Sequence, residues 1–145
     1  MVKTPKQNTH AYYQVALKIL LKKDDNFLFL KVGDKFDLPG GRIDENEHDV
    51  ELTKIMEREV CEELGPKLKY QLGEPILHFR RHFPKKDLHV FIIVFKADYL
   101  SGEIVLSDEH SGFEWINPKQ IIEENSFFSK EEFLSFKQYF NDLKN

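Results

Sequence analysis

"GGRIDENEHDVELTKIMEREVCEELG", residues 40–65, decides the fold by a change of period. Its opening, within "DLPGGRIDENE", carries the Pro, Gly, Asp and Asn of a loop. The apolar residues then recur at helical spacing through Leu64, and Gly65 followed by Pro66 is a strong helix stop. Three carboxylates, Glu59, Glu62 and Glu63, crowd the end of that helix. At about 100° per residue, Glu59 and Glu63 project inside the apolar arc of Leu52, Ile55, Met56, Val60 and Leu64. Glu62 falls at its edge, and Lys54, Glu57, Arg58 and Cys61 occupy the other side. A solvated acidic helix shows the reverse arrangement. Burying an unpaired carboxylate is costly, and close carboxylates repel, so the pattern implies raised pKa values or a compensating cation. A divalent metal fits best, because residues at i, i+3 and i+4 are helix neighbours and hard cations such as Mg²⁺ take carboxylate oxygens. The other reading keeps the glutamates at the rim, reaching water or pairing with Lys and Arg from elsewhere.

Working outward, "QVALKILLKK" places Val15, Leu17, Ile19 and Leu21 on one side in period two, and "KKDDN" turns the chain into "FLFLKV", a hairpin. Beyond the helix, "PILHFRRHF" and "LHVFIIVFKAD" are two strands joined at "PKKD", the second apolar on both sides and so central in its sheet. "GEIVL" and "FEWIN" are read as shorter strands. Asn117 before Pro118 caps a short helix over "KQIIEE", and Ser129 with Glu132 opens a last helix that buries Phe133, Phe136, Phe140 and Leu143. This order predicts one α+β domain over residues 1–145, with sheet layers packed on helices.

Composition narrows the function. At 145 residues, 41% hydrophobic and 32% charged, the chain is long enough to bury a core. A net charge of -4 argues against a broad basic face, so no polymeric nucleic acid is expected. The one cysteine, Cys61, forms no intramolecular disulfide, the start "MVKTPKQNTHAYYQ" has no secretory pattern, and no apolar run suits a membrane span. The cytoplasm is the expected compartment.

Gly40 and Gly41, a Glu-bearing loop and then "REVCEELG", Arg58 to Gly65, resemble the signature box of the Nudix hydrolases, G-x5-E-x7-R-E-U-x-E-E-x-G-U with U aliphatic. The second half matches at each fixed position through Gly65, and the flanking strands and terminal helix extend the likeness over most of the chain. The first half departs. Gly41 and Glu47 satisfy G-x5-E, but ten residues rather than seven separate Glu47 from Arg58, while Glu51 would leave six. Three residues are therefore inserted, and Glu47 is favoured as the partner of Arg58 because it leaves the loop after Gly41 unchanged. Pro66 replaces the final aliphatic residue.

The resemblance implies an α/β/α sandwich with a mixed sheet between helices, and hydrolysis of a nucleoside diphosphate linked to another group X. A nucleoside triphosphate or related small nucleotide is the default substrate. It implies that Glu59, Glu62 and Glu63 hold Mg²⁺, or Mn²⁺, that Arg58 orients Glu59 or its neighbours, and that Gly40 and Gly41 bring the loop close to metal and phosphates. The general base is either a box glutamate or a later loop residue, for which "LSDEHSGFEW" offers Glu109 beside His110. Arg42, Arg80 and Arg81 are candidate phosphate contacts, and adjacent strand residues face opposite sides, so at most one of Arg80 and Arg81 meets a common pocket. Two rival readings are a Nudix-fold nucleotide-binding module with little catalysis and an isomerase of a diphosphate ester. The clustered acids argue against the first and the outward placement of Cys61 against the second.

Overall fold

The computed structural model describes residues 9–120 and 123–143. Strands β1 (Gln14–Lys23), β2 (Asn26–Val32), β3 (Lys35–Asp37), β4 (Gly40–Arg42), β5 (Lys69–Phe83), β6 (Leu88–Ser101) and β7 (Gly112–Ile116) form one sheet. Helix α1 (Leu52–Leu64) follows β4, and α2 (Lys130–Leu143) closes the described chain. The central path runs β3-β2-β1-β6-β5, with β7 on β2 and β4 on β1. Only β1 and β6 pair in parallel, so the sheet is mixed. A helix covers each face. Phe136 and Phe140 of α2 pack with Phe29 and Phe79 of the sheet, and Ile55, Met56 and Val60 of α1 pack with Leu17 and Ile19. This is the α/β/α sandwich the resemblance implies. Each large side chain so buried contributes about 1.5–3 kcal/mol relative to exposure.

β1 is buried on both faces, because Ala16 and Leu20 enter the α2 core while Leu17, Ile19 and Leu21 enter the α1 core. Its alternation is therefore between two interiors rather than between core and water. β2 pairs with β1 only at the hairpin, Lys22↔Phe27 and Lys23↔Asn26, and then diverges. The short β4 takes its place along Ala16–Lys18, so part of the stretch read as loop is a strand.

Four local expectations are corrected. "GEIVL" is not a strand: Val105 N–H donates to the Leu64 carbonyl and Ser107 N–H to the Glu63 carbonyl, so this segment satisfies the end of α1 instead of a sheet edge. Leu52 is 48% exposed, because it opens α1 before the helix reaches the sheet. Leu143, also 48% exposed, lies at the last turn of α2, past the ring stack of Phe136 and Phe140. The helix after Asn117 is a 3-10 turn, Pro118–Gln120, capped by Asn117 Oδ1, which accepts from Lys119 N–H at 3.0 Å. Ile121 and Ile122 of "KQIIEE", like residues 1–8 of the N-terminal stretch, lie outside the described residues. The Ser129 cap forms, its Oγ accepting from Glu132 N–H at 3.1 Å. Among the described residues no helix is long and apolar enough to cross a membrane.

Candidate active site

Because β4 replaces β2 beside β1, its Gly40 and Gly41 are delivered against the second half of α1. The approach is close enough to require glycine. A Cβ on Gly40 would lie 2.1 Å from the Leu17 carbonyl oxygen, and its φ of +136° disfavours any other residue. A Cβ on Gly41 would lie 2.3 Å from Glu59 Oε2. Gly40 N–H donates to Glu63 Oε1 at 2.8 Å, fastening loop to helix.

Glu63 is buried, and burial pushes its carboxyl up to about 7 despite the nearby Lys18 ammonium and the Gly40 N–H. Glu59 is partly buried, and burial raises its pKa against the pull of Arg58. Arg58 donates to Glu47 Oε2 from Nη2 at 2.7 Å and from Nε at 3.2 Å. The same guanidinium lies 3.1 Å from Glu59 Oε1 and donates to Glu62 Oε1 at 3.0 Å. Glu47 in turn accepts the Asp44 N–H at 2.9 Å, which with Arg58 holds its pKa low. Glu51 is the exposed residue just before α1 and makes no side-chain cap. The inserted residues thus lengthen the segment before the helix rather than the helix itself.

These groups border a cleft of about 400 Å³ lined by Glu59, Glu63, Glu109, Gly40 and Gly41 together with Lys18, Asp37, Arg42, Arg81 and Lys86. Glu109, from the loop before β7, has a carboxylate oxygen within 4.8 Å of the ligand atoms offered by Glu63 and His110. His110 Nε2 is 3.4 Å from Glu63 Oε2, while its Nδ1 is buried with no hydrogen-bond partner among the described residues. Converging carboxylates, two of which, Glu59 and Glu63, have their pKa raised by burial, with oxygens predominating, fit a hard divalent cation such as Mg²⁺ or Mn²⁺. Glu62 lies outside the cleft lining: its side chain is 60% exposed and turned to Arg58.

The arginines separate as strand geometry requires. Arg81 faces the cleft, 6% exposed, with Nε donating to Glu132 Oε1 at 2.5 Å and Nη2 to Asp37 Oδ1 at 3.1 Å. Arg80 faces the opposite side and donates to Glu131 at 2.7 Å, so it does not meet the pocket. Arg42 is exposed at the rim, bonded to Gln14 Oε1 at 2.8 Å. Phe83, Leu88, Val90 and Ile92 form an apolar wall.

Sequence reasoning missed the chain of alternating charge Lys18–Asp37–Arg81–Glu132. Lys18 Nζ lies 3.1 Å from Asp37 Oδ1 and donates to the Leu38 carbonyl at 3.0 Å. Burial pushes the Asp37 carboxyl up, but Lys18 and Arg81 outweigh it and hold the group at about 2. Lys18 did leave a signal, as the one charge inside the apolar run "VALKILL". Glu132 left none beyond its capping position.

A NUDIX domain profile matches residues 13–136. The chain belongs to the Nudix hydrolase family, enzymes that act on phosphoanhydride bonds. Solved structures share the fold. A MutT protein from Methanosarcina mazei Go1 is similar at 23% identity and TM-score 0.75, over 92% of this chain and 96% of that one. An ADP-ribose pyrophosphatase from Streptococcus suis 89-1591 is similar at 15% identity and TM-score 0.64, over 92% and 94%. A UDP-X diphosphatase is similar at 16% identity and TM-score 0.65, over 96% of this chain and 68% of that one. No curated protein matches in sequence.

Proposed function

We propose that this chain, acting as one domain in the cytoplasm, is a metal-dependent hydrolase of a nucleoside diphosphate linked to another group, with a nucleoside triphosphate or related small nucleotide as its substrate. The observation that carries the reading is the convergence of Glu59, Glu63 and Glu109 on one cleft, with the glycines of β4 packed directly against Glu59 and Glu63. Glu59 and Glu63, with Glu62 at the rim, are the residues that would hold Mg²⁺ or Mn²⁺. When bound, such an ion neutralises phosphate oxygens and lowers the pKa of an attacking water.

The remaining work falls to the chain itself. Arg58, braced by Glu47, fixes the rotamers of Glu59 and Glu62. Arg42 and Lys86 place positive charge along a cleft in an otherwise acidic protein, where an anionic pyrophosphate would lie, while the Arg81 charge is already met by Asp37 and Glu132. Phe83 and Leu88 offer an apolar surface for the base or for group X. Glu109 accepts the proton of the attacking water at a carboxylate oxygen. Water adds to one phosphorus, the bridging P–O bond breaks, and the departing phosphate oxygen takes up a proton. Positioning and charge stabilisation supply most of the rate in such transfers.

The activities named for two structural neighbours put ADP-ribose and a UDP-linked compound in the panel, and nucleoside triphosphates and dinucleoside polyphosphates are added, each incubated with Mg²⁺ and its products identified by mass. Cleavage of a phosphoanhydride in one member supports the reading and names group X. Nucleotide binding without turnover of any member overturns it in favour of a binding module.

A further inference from the structure

The end of the β5–β6 hairpin has two faces, and only one belongs to the cleft. In the antiparallel register Phe83 pairs with Leu88, and both line the cleft. One position back, His82 pairs with His89, and by strand alternation both imidazoles stand on the opposite face. Their rings are parallel, 3° apart in plane, with centroids 4.1 Å apart. Asp87, in the left-handed conformation at the turn with φ 47°, brings a carboxylate to the same place. Ligand atoms of His82, Asp87 and His89 all lie within 4.8 Å of one another. Among the described residues neither imidazole has a hydrogen bond or an ion pair that would compete.

We propose that His82, Asp87 and His89 form a second metal site, for a borderline divalent cation of the Zn²⁺ type. Two neutral imidazoles and one carboxylate suit Zn²⁺, whereas Mg²⁺ prefers an all-oxygen shell, so the two metal sites of the molecule differ in kind. Zinc bonds of about 2.0–2.1 Å require tetrahedral donors to stand roughly 3.4 Å apart. The donors must therefore close by up to about 1.4 Å, and because an imidazole binds an ion in its own ring plane, the His82 ring must also rotate out of its parallel stack on His89. His82 and Asp87 are exposed and free to turn, while His89 is half-buried, with the Tyr13 ring 5.3 Å away, and acts as the fixed member. The ion bridges two adjacent strands at the turn end of the hairpin. The other face of those strands presents Phe83 and Leu88 to the cleft, so occupancy stiffens that wall.

The full-length chain is titrated with Zn²⁺ in the presence of excess Mg²⁺, against a chromophoric chelator, beside His82→Ala, His89→Ala and Glu63→Gln. One Zn²⁺ per chain is expected, weakened at least about tenfold in each histidine variant and unchanged in Glu63→Gln. His82 is exposed, so its variant should keep the wild-type melting temperature and report on binding alone. Equal Zn²⁺ affinity in wild type and His82→Ala, loss of Zn²⁺ in Glu63→Gln instead, or no Zn²⁺ binding by the wild type would each overturn the site. None of these readouts depends on hydrolase activity.

Discussion

Arg58 Nη2 lies 2.7 Å from Glu47 Oε2, so a residue of α1 reaches back across the lengthened segment to the 3-10 turn Glu45–Glu47. That contact shows how the three extra residues are absorbed without disturbing the carboxylate-bearing end of the helix. Glu47→Gln should lower turnover by about 10–100-fold, the usual effect of losing a group that orients a metal ligand. Glu51→Gln, exposed and without a side-chain cap, should stay near wild type. Steady-state kinetics of the two variants side by side checks this, and equal losses would contradict it.

Gly40 and Gly41 should fail differently when given a methyl group. Gly40→Ala meets backbone, at 2.1 Å from the Leu17 carbonyl oxygen, in a conformation with φ +136°. It should cost about 1–3 kcal/mol of stability. Gly41→Ala meets the carboxylate tip of Glu59, which can swing aside. It should leave stability nearly unchanged and reduce activity sharply. Denaturant melts and initial rates on the same preparations separate the two effects.

Asp37 gives a pH test of the buried charge chain. Its folded pKa of about 2 lies below the ordinary 3.8, so its contribution is fully present above about pH 4 and is lost as pH falls toward 2. The shift corresponds to about 2 kcal/mol. Urea midpoints measured from pH 5 to pH 2 should therefore fall more steeply for wild type than for Asp37→Asn, a difference that cancels the carboxylates the two proteins share. Parallel curves would contradict the assignment.

Glu132 is 1% exposed and accepts from Arg81, which is itself buried. Removing one partner of such a pair leaves a buried charge poorly compensated. Glu132→Gln should cost about 3 kcal/mol, while Arg81→Met combined with Glu132→Leu should cost less than either single change. A thermal melt series of the three variants tests this, and a neutral Glu132→Gln would contradict it.

The elements that sequence reasoning located were those fixed by local rules. The β1–β2 hairpin, α1 with its Gly65 stop and the β5–β6 pair follow from periodicity and turn residues, and the box around Arg58–Gly65 marks itself. What escaped depends on contacts distant in sequence. "GEIVL" carries strand composition, but its N–H groups bond to the carbonyls at the end of α1. Arg81 and Glu132 are 51 residues apart and Lys18 and Leu38 are 20 apart, so no window of sequence contains the charge chain. The choice between Arg80 and Arg81 needed only alternation plus knowledge of which face the cleft occupies. Glu62 projects at the edge of the apolar arc, and its side chain is accordingly exposed, accepting from Arg58.

In the proposed function Glu63, buried beside Gly40 of β4, is part of a metal-dependent catalytic cleft. The most direct test is the rate of phosphoanhydride cleavage by wild type and by Glu63→Gln across a Mg²⁺ titration and in chelator, with melting temperatures measured alongside. Wild type should turn over only with metal, and Glu63→Gln should fall on the order of 10²–10³-fold with its fold intact. Near-full turnover by Glu63→Gln at saturating Mg²⁺, or wild-type cleavage that persists in chelator, would contradict the account.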